Sequence, residues 1–416
     1  MPDRWRKALA WSAVLAVLVL VQHWVAARRP PPPELRATRE FLVTSAADDG
    51  TGSLREAIFA AAGAAGRARI RLPAGRILVQ SPLPPVVNAD GVLIEGVAGS
   101  TEIDGSGLAS GPVLDIDAPG SLVSGVRITN AREQGIVARK DGLRVARSGF
   151  VNCDQGLYVA DGVSGLAVDG STFSQNRVGV WLAGVRGDND VRNSRFLRHG
   201  DAAIWVVRRQ VEAPAGRVLV SRSQFEQDRI SLVLANTPVE VENNDFVGAR
   251  DAAIVLLGQG AVVRRNRIRQ GTGVGLIADD TDGVVIDGNE VDHNQAIGIL
   301  VRSSGDALVR SNRLHANGYG LAFVFGRGRT PNVGAENTIL RHTYDGVITI
   351  GDSPVLRDNA VLNGSLAGLR ILDFYSATGA RIASDPLLQR NRVEGNALNT
   401  AVRGEYRTPA RPGSPR

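Results

Sequence analysis

The chain has 416 residues, 43% hydrophobic and 22% charged, with 48 glycines but only 5% aromatic residues. A core of substantial size can be buried, and so much glycine beside so few aromatics favours many short strands joined by tight turns over packed helices. The net charge of +6 is almost all arginine interleaved with acids, which lacks the basic stripe of a nucleic-acid binder but suits an acidic polysaccharide, and the single Cys153 excludes an intrachain disulfide.

At the amino terminus Arg4, Arg6 and Lys7 precede an apolar run from Ala8 to Ala27. The run is about long enough to span a bilayer core, and the basic flank favours a cytoplasmic start with export of the rest. Residues 1–29 are therefore expected to be a signal anchor, with a cleaved signal peptide ending at Val25-Ala26-Ala27 as the alternative. The expected location is tethered to the cytoplasmic membrane and facing the periplasm or exterior, or secreted after cleavage. Residues 30–40, with Pro30 to Pro33, form a stiff spacer.

Residues 41–115 read as a cap and first coils. Ser53 and Glu56 are spaced as a capping box opening a helix from Leu54 to Ala65. Ile70-Arg71-Leu72 and Ile103-Asp104-Gly105 then read as strands running into turns.

From residue 116 to 403 an internal repeat dominates. Ser or Asn, then any residue, then a large apolar residue recurs from Ser148-Gly149-Phe150 through Asn266-Arg267-Ile268 to Asn391-Arg392-Val393. Eleven such anchors follow one another, mostly 21 to 23 residues apart. After each comes a second apolar pattern, such as Gly156-Leu157-Tyr158-Val159, and then a third, such as Leu166-Ala167-Val168. Three short strands per repeat, with no helical apolar period, predict an all-β fold: a right-handed parallel β-helix of eleven or more coils behind a capping helix. Stacked coils place Phe150, Phe173, Phe196, Phe225 and Phe246 in one internal column, and Ser148 through Asn391 in a hydrogen-bonded ladder. Residues 404–416, rich in proline, read as a disordered tail.

The entry segment Thr44-Ser45, Asp48-Asp49-Gly50 and Gly52-Ser53-Leu54-Arg55-Glu56-Ala57-Ile58 resembles that of the pectin-lyase-like superfamily. The later coils resemble β-helix repeats of the carbohydrate-binding and sugar-hydrolase type. The resemblance spans residues 41 to 400 and implies the fold; its members include lyases, hydrolases, epimerases, adhesins and binding proteins. The family's catalytic motifs are missing: no Gly-His-Gly accompanies Asp279-Asp280, and Asp385-Pro386 is followed by Leu387 where alginate epimerases carry histidine.

Three features bear on function. Alternation in the second strand turns Tyr158, Trp181 and Trp205 outward, at one end of an apolar stripe running through Val233 to Ile348. Flat rings suit a sugar, a long stripe suits a protein partner in the envelope, and ordinary half-apolar columns are the plainer reading. Next, His293, His315 and His342 follow successive anchors, near Arg341, Tyr344 and Asp345. A histidine or tyrosine base beside an arginine would suit a lyase or C5-epimerase acting on an acidic glycan; three histidines would suit a transition metal; a polar turn needs neither. Last, Asp279, Asp280 and Asp282 form a weak calcium candidate or a plain turn. The expectation is an exported protein, membrane-bound through residues 8–27, that binds or processes a polysaccharide. The alternatives are the lyase or epimerase and a non-enzymatic envelope scaffold.

Overall fold

The computed structural model describes residues 36–407, apart from 185, 208–215, 328–329, 377–378 and 400. The expected anchor, residues 30–35 of the expected spacer and residues 408–416 lie outside the described residues, as do Gly328 and Arg329, whereas the last two spacer residues open the strand Arg39–Leu42, paired in parallel with Ala68–Arg71. Among the described residues no helix is long and apolar enough to cross a membrane.

Each coil contributes one strand to each of three parallel sheets, of 15, 14 and 14 strands, making a parallel β-solenoid of about 13 turns. The anchor pattern forms the second sheet: Phe150 lies beside Phe173, Phe173 beside Phe196, Phe196 beside Phe225 and Phe225 beside Phe246. All five rings are 0% exposed, with successive centroids 4.6 to 4.9 Å apart and planes within 12°. Burying each phenyl ring stabilises the coil stack by roughly 2–3 kcal/mol.

The bend between first and second sheets passes through a left-handed residue, such as Arg222, Asn243 and Arg265, and then the ladder residue. Asn289 shows how a rung works. Its Oδ1 accepts from the Asn266 backbone N–H and from Asn266 Nδ2, both at 3.0 Å, while its Nδ2 donates to the Val263 carbonyl at 3.0 Å. The side-chain amide thus satisfies buried polar groups on neighbouring coils. Gly156 and Gly298 recur just before an inward residue because a Cβ there would meet the next coil's carbonyl oxygen at 2.7 and 2.8 Å.

The amino-terminal end is closed by α1 (Leu54–Ala62), which packs Leu54, Ala57, Ile58 and Ala61 onto the core. The Glu56 backbone N–H donates to Ser53 Oγ at 3.2 Å, as the capping box predicts, but the Glu56 carboxylate reaches Gly52 N rather than Ser53 N. The helix stops at Gly63, short of the expected Ala65. The expected tail is corrected too. Val402–Arg407 is a strand paired in parallel with Leu369–Tyr375, and Arg407 lies 4.7 Å from the Tyr375 ring centre. An exposed sheet edge offered more hydrogen bonds than the polar composition suggested.

Candidate functional site

The third sheet carries the second apolar pattern. Leu157, Val180 and Ile204 point inward at 0% exposure, and Tyr158, Trp181 and Trp205 stand in register on the outer face. Trp181 and Trp205 are nearly parallel, with centroids 5.4 Å apart, and Tyr158 meets Trp181 edge-on at 6.2 Å. Each indole therefore covers part of its neighbour's face, and the group forms a ledge three rungs long rather than three separate platforms. Farther along the column Val233 and Ile348 are only 9% exposed and Ala322 1%, whereas Val255, Ile277 and Leu300 are half-buried like the aromatic rungs.

Polar groups border the ledge. Arg177 donates from Nε to Asp154 Oδ1 at 2.6 Å and from Nη1 to Asp201 Oδ2 at 2.8 Å, with its guanidinium 6.0 Å from the Trp181 ring centre. Arg139 donates to Asp115 at 2.6 Å on the rungs before Tyr158. Aromatic rings edged by planar, half-exposed donors and acceptors can bind a ring that is apolar on its faces and hydroxylated at its rim.

The three histidines do not share one position. Counted from the ladder asparagine of its coil, His315 stands three residues on, His293 four and His342 five, and on a coil one residue changes the direction of the side chain. His315 ends the strand Arg313–His315, beside Asp292 on the neighbouring coil. His293 follows its strand in the left-handed region at φ 55°, half-exposed, with Nδ1 2.9 Å from Asp292 Oδ2. The two imidazoles meet edge to face at 5.3 Å. Burial, His293, Arg313 and Arg341 together push the His315 pKa down. His342 is instead 1% exposed, a rung of a second internal ladder at the bend between second and third sheets. There the Asn317 N–H donates to His342 Nδ1, and Nε2 is buried without a partner. Burial lowers its pKa to about 4. His342 is a core residue, so the expected trio at one surface is corrected to the pair His293 and His315.

The other residues expected near the histidines gather elsewhere. Asp345, 2% exposed, accepts from Arg370 Nε at 2.6 Å and from Ala367 N at 3.1 Å. Tyr319 and Tyr344 stack beside it with centroids 4.9 Å apart, and burial, Asp345 and Tyr344 raise the Tyr319 pKa. The sequence reading missed Arg370. Carried one coil past Ile348, the outward column reaches it, a cation set between Ile348 and Val402.

The calcium candidate does not assemble. Asp279 is held by Arg302 Nε at 2.9 Å, and that hydrogen bond lowers its pKa. Arg327 answers Asp280 at close range and Asp282 at 4.0 Å. These arginines occupy the carboxylates a cation would need, and among the described residues no cluster of three acidic, histidine or cysteine ligands could hold a metal. The same pairs turn Arg327 towards acids of this chain.

Comparison with solved structures finds similar coils on proteins of several activities. The Azotobacter vinelandii mannuronan C-5 epimerase AlgE4 A-module is 16% identical, with 83% of this chain and 94% of that one covered at a TM-score of 0.37. A mannuronic acid specific polysaccharide family 6 lyase from human gut microbiota is 13% identical, with coverage of 84% and 83% and a TM-score of 0.46. PfbA, a surface adhesin of Streptococcus pneumoniae, is 12% identical, with coverage of 75% and 87% and a TM-score of 0.48. Likeness this distant carries no argument about activity. No curated protein sequence matches the chain. The family model described as a right handed beta helix region matches residues 87–196 and 203–361, well over half of the chain. Given that span and the unbroken coil-on-coil pairing through it, this chain belongs to the right-handed β-helix family.

Proposed function

We propose that this protein binds an extended polysaccharide along the outer face of its third sheet, gripping it at Tyr158, Trp181 and Trp205. The observation that supports this is the half-buried aromatic ledge bordered by the Arg177, Asp154 and Asp201 network. Residues 8–27 would tether it to the cytoplasmic membrane with the solenoid outside. The full chain should bind at least one member of a polysaccharide panel with a change in tryptophan fluorescence. Trp181→Ala and Trp205→Ala should each weaken binding about fivefold, since stacking contacts are worth about 1 kcal/mol. Unchanged affinity in both variants would remove the ledge from the reading.

A second reading, a lyase or epimerase, draws on the Asp292–His293 contact. A carboxylate only accepts, so in neutral His293 the proton sits on Nδ1 and Nε2 is free to act as a base. It would remove the proton next to a sugar carboxylate, with Arg313 and Arg341 stabilising the charge that develops. Turnover of an acidic polymer that disappears in His293→Gln without unfolding would favour this reading. Its absence across acidic polymers would leave binding alone. Retention on membranes that is lost when residues 8–27 are deleted would test the tether.

A further inference from the structure

Arg370 stands out on the third sheet because it is a cation in an otherwise apolar outward column and is built in from below. Asp345, which holds it, is almost wholly inaccessible and spends its other oxygen on the Ala367 N–H. A buried carboxylate is retained at a desolvation cost only when paired, and this pair fixes the guanidinium by its Nε edge. No other acid is within ion-pair reach of Arg370 among the described residues, so its Nη groups, on a side chain 26% exposed, are uncommitted to a carboxylate. Tyr319 lies within electrostatic reach of Arg370, and Tyr344, 44% exposed, meets Tyr319 at a tilt of 33° with centroids 4.9 Å apart.

We infer that Arg370, locked by Asp345 and flanked by Tyr319 and Tyr344, is an anion subsite that takes the acidic group of a sugar residue while the sugar ring rests against Tyr344. The inference rests on the glycan reading above and narrows it to acidic polysaccharides. In-line pairing places Arg370 seven rungs beyond Trp205, roughly 34 Å at about 4.8 Å per rung. One extended polymer can therefore lie across both places, and the two can be tested separately. A plain structural ion pair would need neither Nη groups left without a carboxylate nor an exposed ring on the neighbouring tyrosine pair.

The experiment compares polygalacturonate, its methyl ester and dextran sulfate as ligands of the full chain, measured by calorimetry at low and high salt. The wild type should prefer polygalacturonate over its ester by about tenfold, the usual worth of a charge-assisted hydrogen bond, with the preference shrinking in salt. Arg370→Gln should lower affinity for the acid to that for the ester, while Trp181→Ala should weaken both equally. Dextran sulfate binding as tightly as polygalacturonate would assign the subsite to anions in general; weaker binding would assign it to carboxylates. As a readout that does not depend on the variant folding, modification of Arg370 by phenylglyoxal is followed in the wild type, and polygalacturonate should slow it. Ester and acid binding alike, or no protection of Arg370, overturns the inference and leaves the ledge standing. No binding of either polymer, with a neutral glycan still held at Trp181, overturns it as well; no glycan bound at all sinks both readings.

Discussion

The molecule contains two aromatic stacks on the same coils. Phe150 to Phe246 stack inside the second sheet at 0% exposure, and Tyr158, Trp181 and Trp205 stack outside the third. Register brings the rings together in both, but only the inner ones all lie parallel, since Tyr158 meets Trp181 at 71°. The side of the sheet then decides what the stack does. Inside, every ring surface is already used in packing. Outside, the ledge leaves ring surface that only a ligand would cover.

The sharpest way to break this division is to remove a ring from each stack. Phe196→Ala should cost about 3–5 kcal/mol in unfolding free energy, because a buried phenyl leaves a cavity that rigid coils cannot close. Trp181→Ala should cost only about 1 kcal/mol of stability and act mainly on glycan affinity. Denaturant unfolding with parallel binding titrations measures both. Equal stability losses would mean that the outer stack is also structural.

His342 sharpens the contrast from the inside. Its folded pKa is about 4 because burial disfavours the charged form, whereas an unfolded histidine titrates near 6.5. Between these values the unfolded chain binds the extra proton, so stability rises with pH there. The contribution is complete above about pH 6.5 and fades as pH falls towards 4, a loss on the order of 3 kcal/mol. His342→Asn places at this rung the residue found at Asn317 and Asn294, where the amide nitrogen finds a carbonyl. Thermal unfolding from pH 8 to pH 4 should then show a flatter profile than the wild type. An unchanged profile would locate the acid sensitivity elsewhere.

Asn289→Ala should cost about 1–3 kcal/mol, since the Asn266 backbone N–H and the Val263 carbonyl would lose a buried partner. A loss within a few tenths of a kcal/mol would mean that water enters the bend.

The coils were legible because the repeat is a register signal: Ser148 to Asn391 and the phenylalanines recur at nearly constant spacing, and a parallel stack turns spacing directly into contact. The outward set of Tyr158, Trp181 and Trp205 follows from the same alternation. The histidines were not legible because their one-residue offsets vanish in a list of polar turn residues, yet place His315 on a strand, His293 in a left-handed bend and His342 in the core. The internal ladder that holds His342 has no single residue type: Asn176, His199, Asp228, Asn294 and Asn317 serve in turn, so no motif announced it. Arg302 and Arg327 lie one coil or more from the aspartates they neutralise, so composition near Asp279 could not reveal them.

The smallest expected effect lies on the outer face of the second sheet. Asp245, Arg267, Glu290 and Arg313 occupy one outward column, as alternation of charge along the sequence suggests. The pairing is looser than that order implies. Arg267 reaches Glu290 at 3.6 Å, while Asp245 turns aside to Arg269 at 2.9 Å. Both partners of the Arg267–Glu290 contact are about half-exposed, at 53% and 47%, so water and salt screen it. Glu290→Gln should change stability by only a few tenths of a kcal/mol, and less in high salt. A loss above about 1 kcal/mol, measured by denaturant unfolding at low and high salt, would make this charged column part of what holds the coils together.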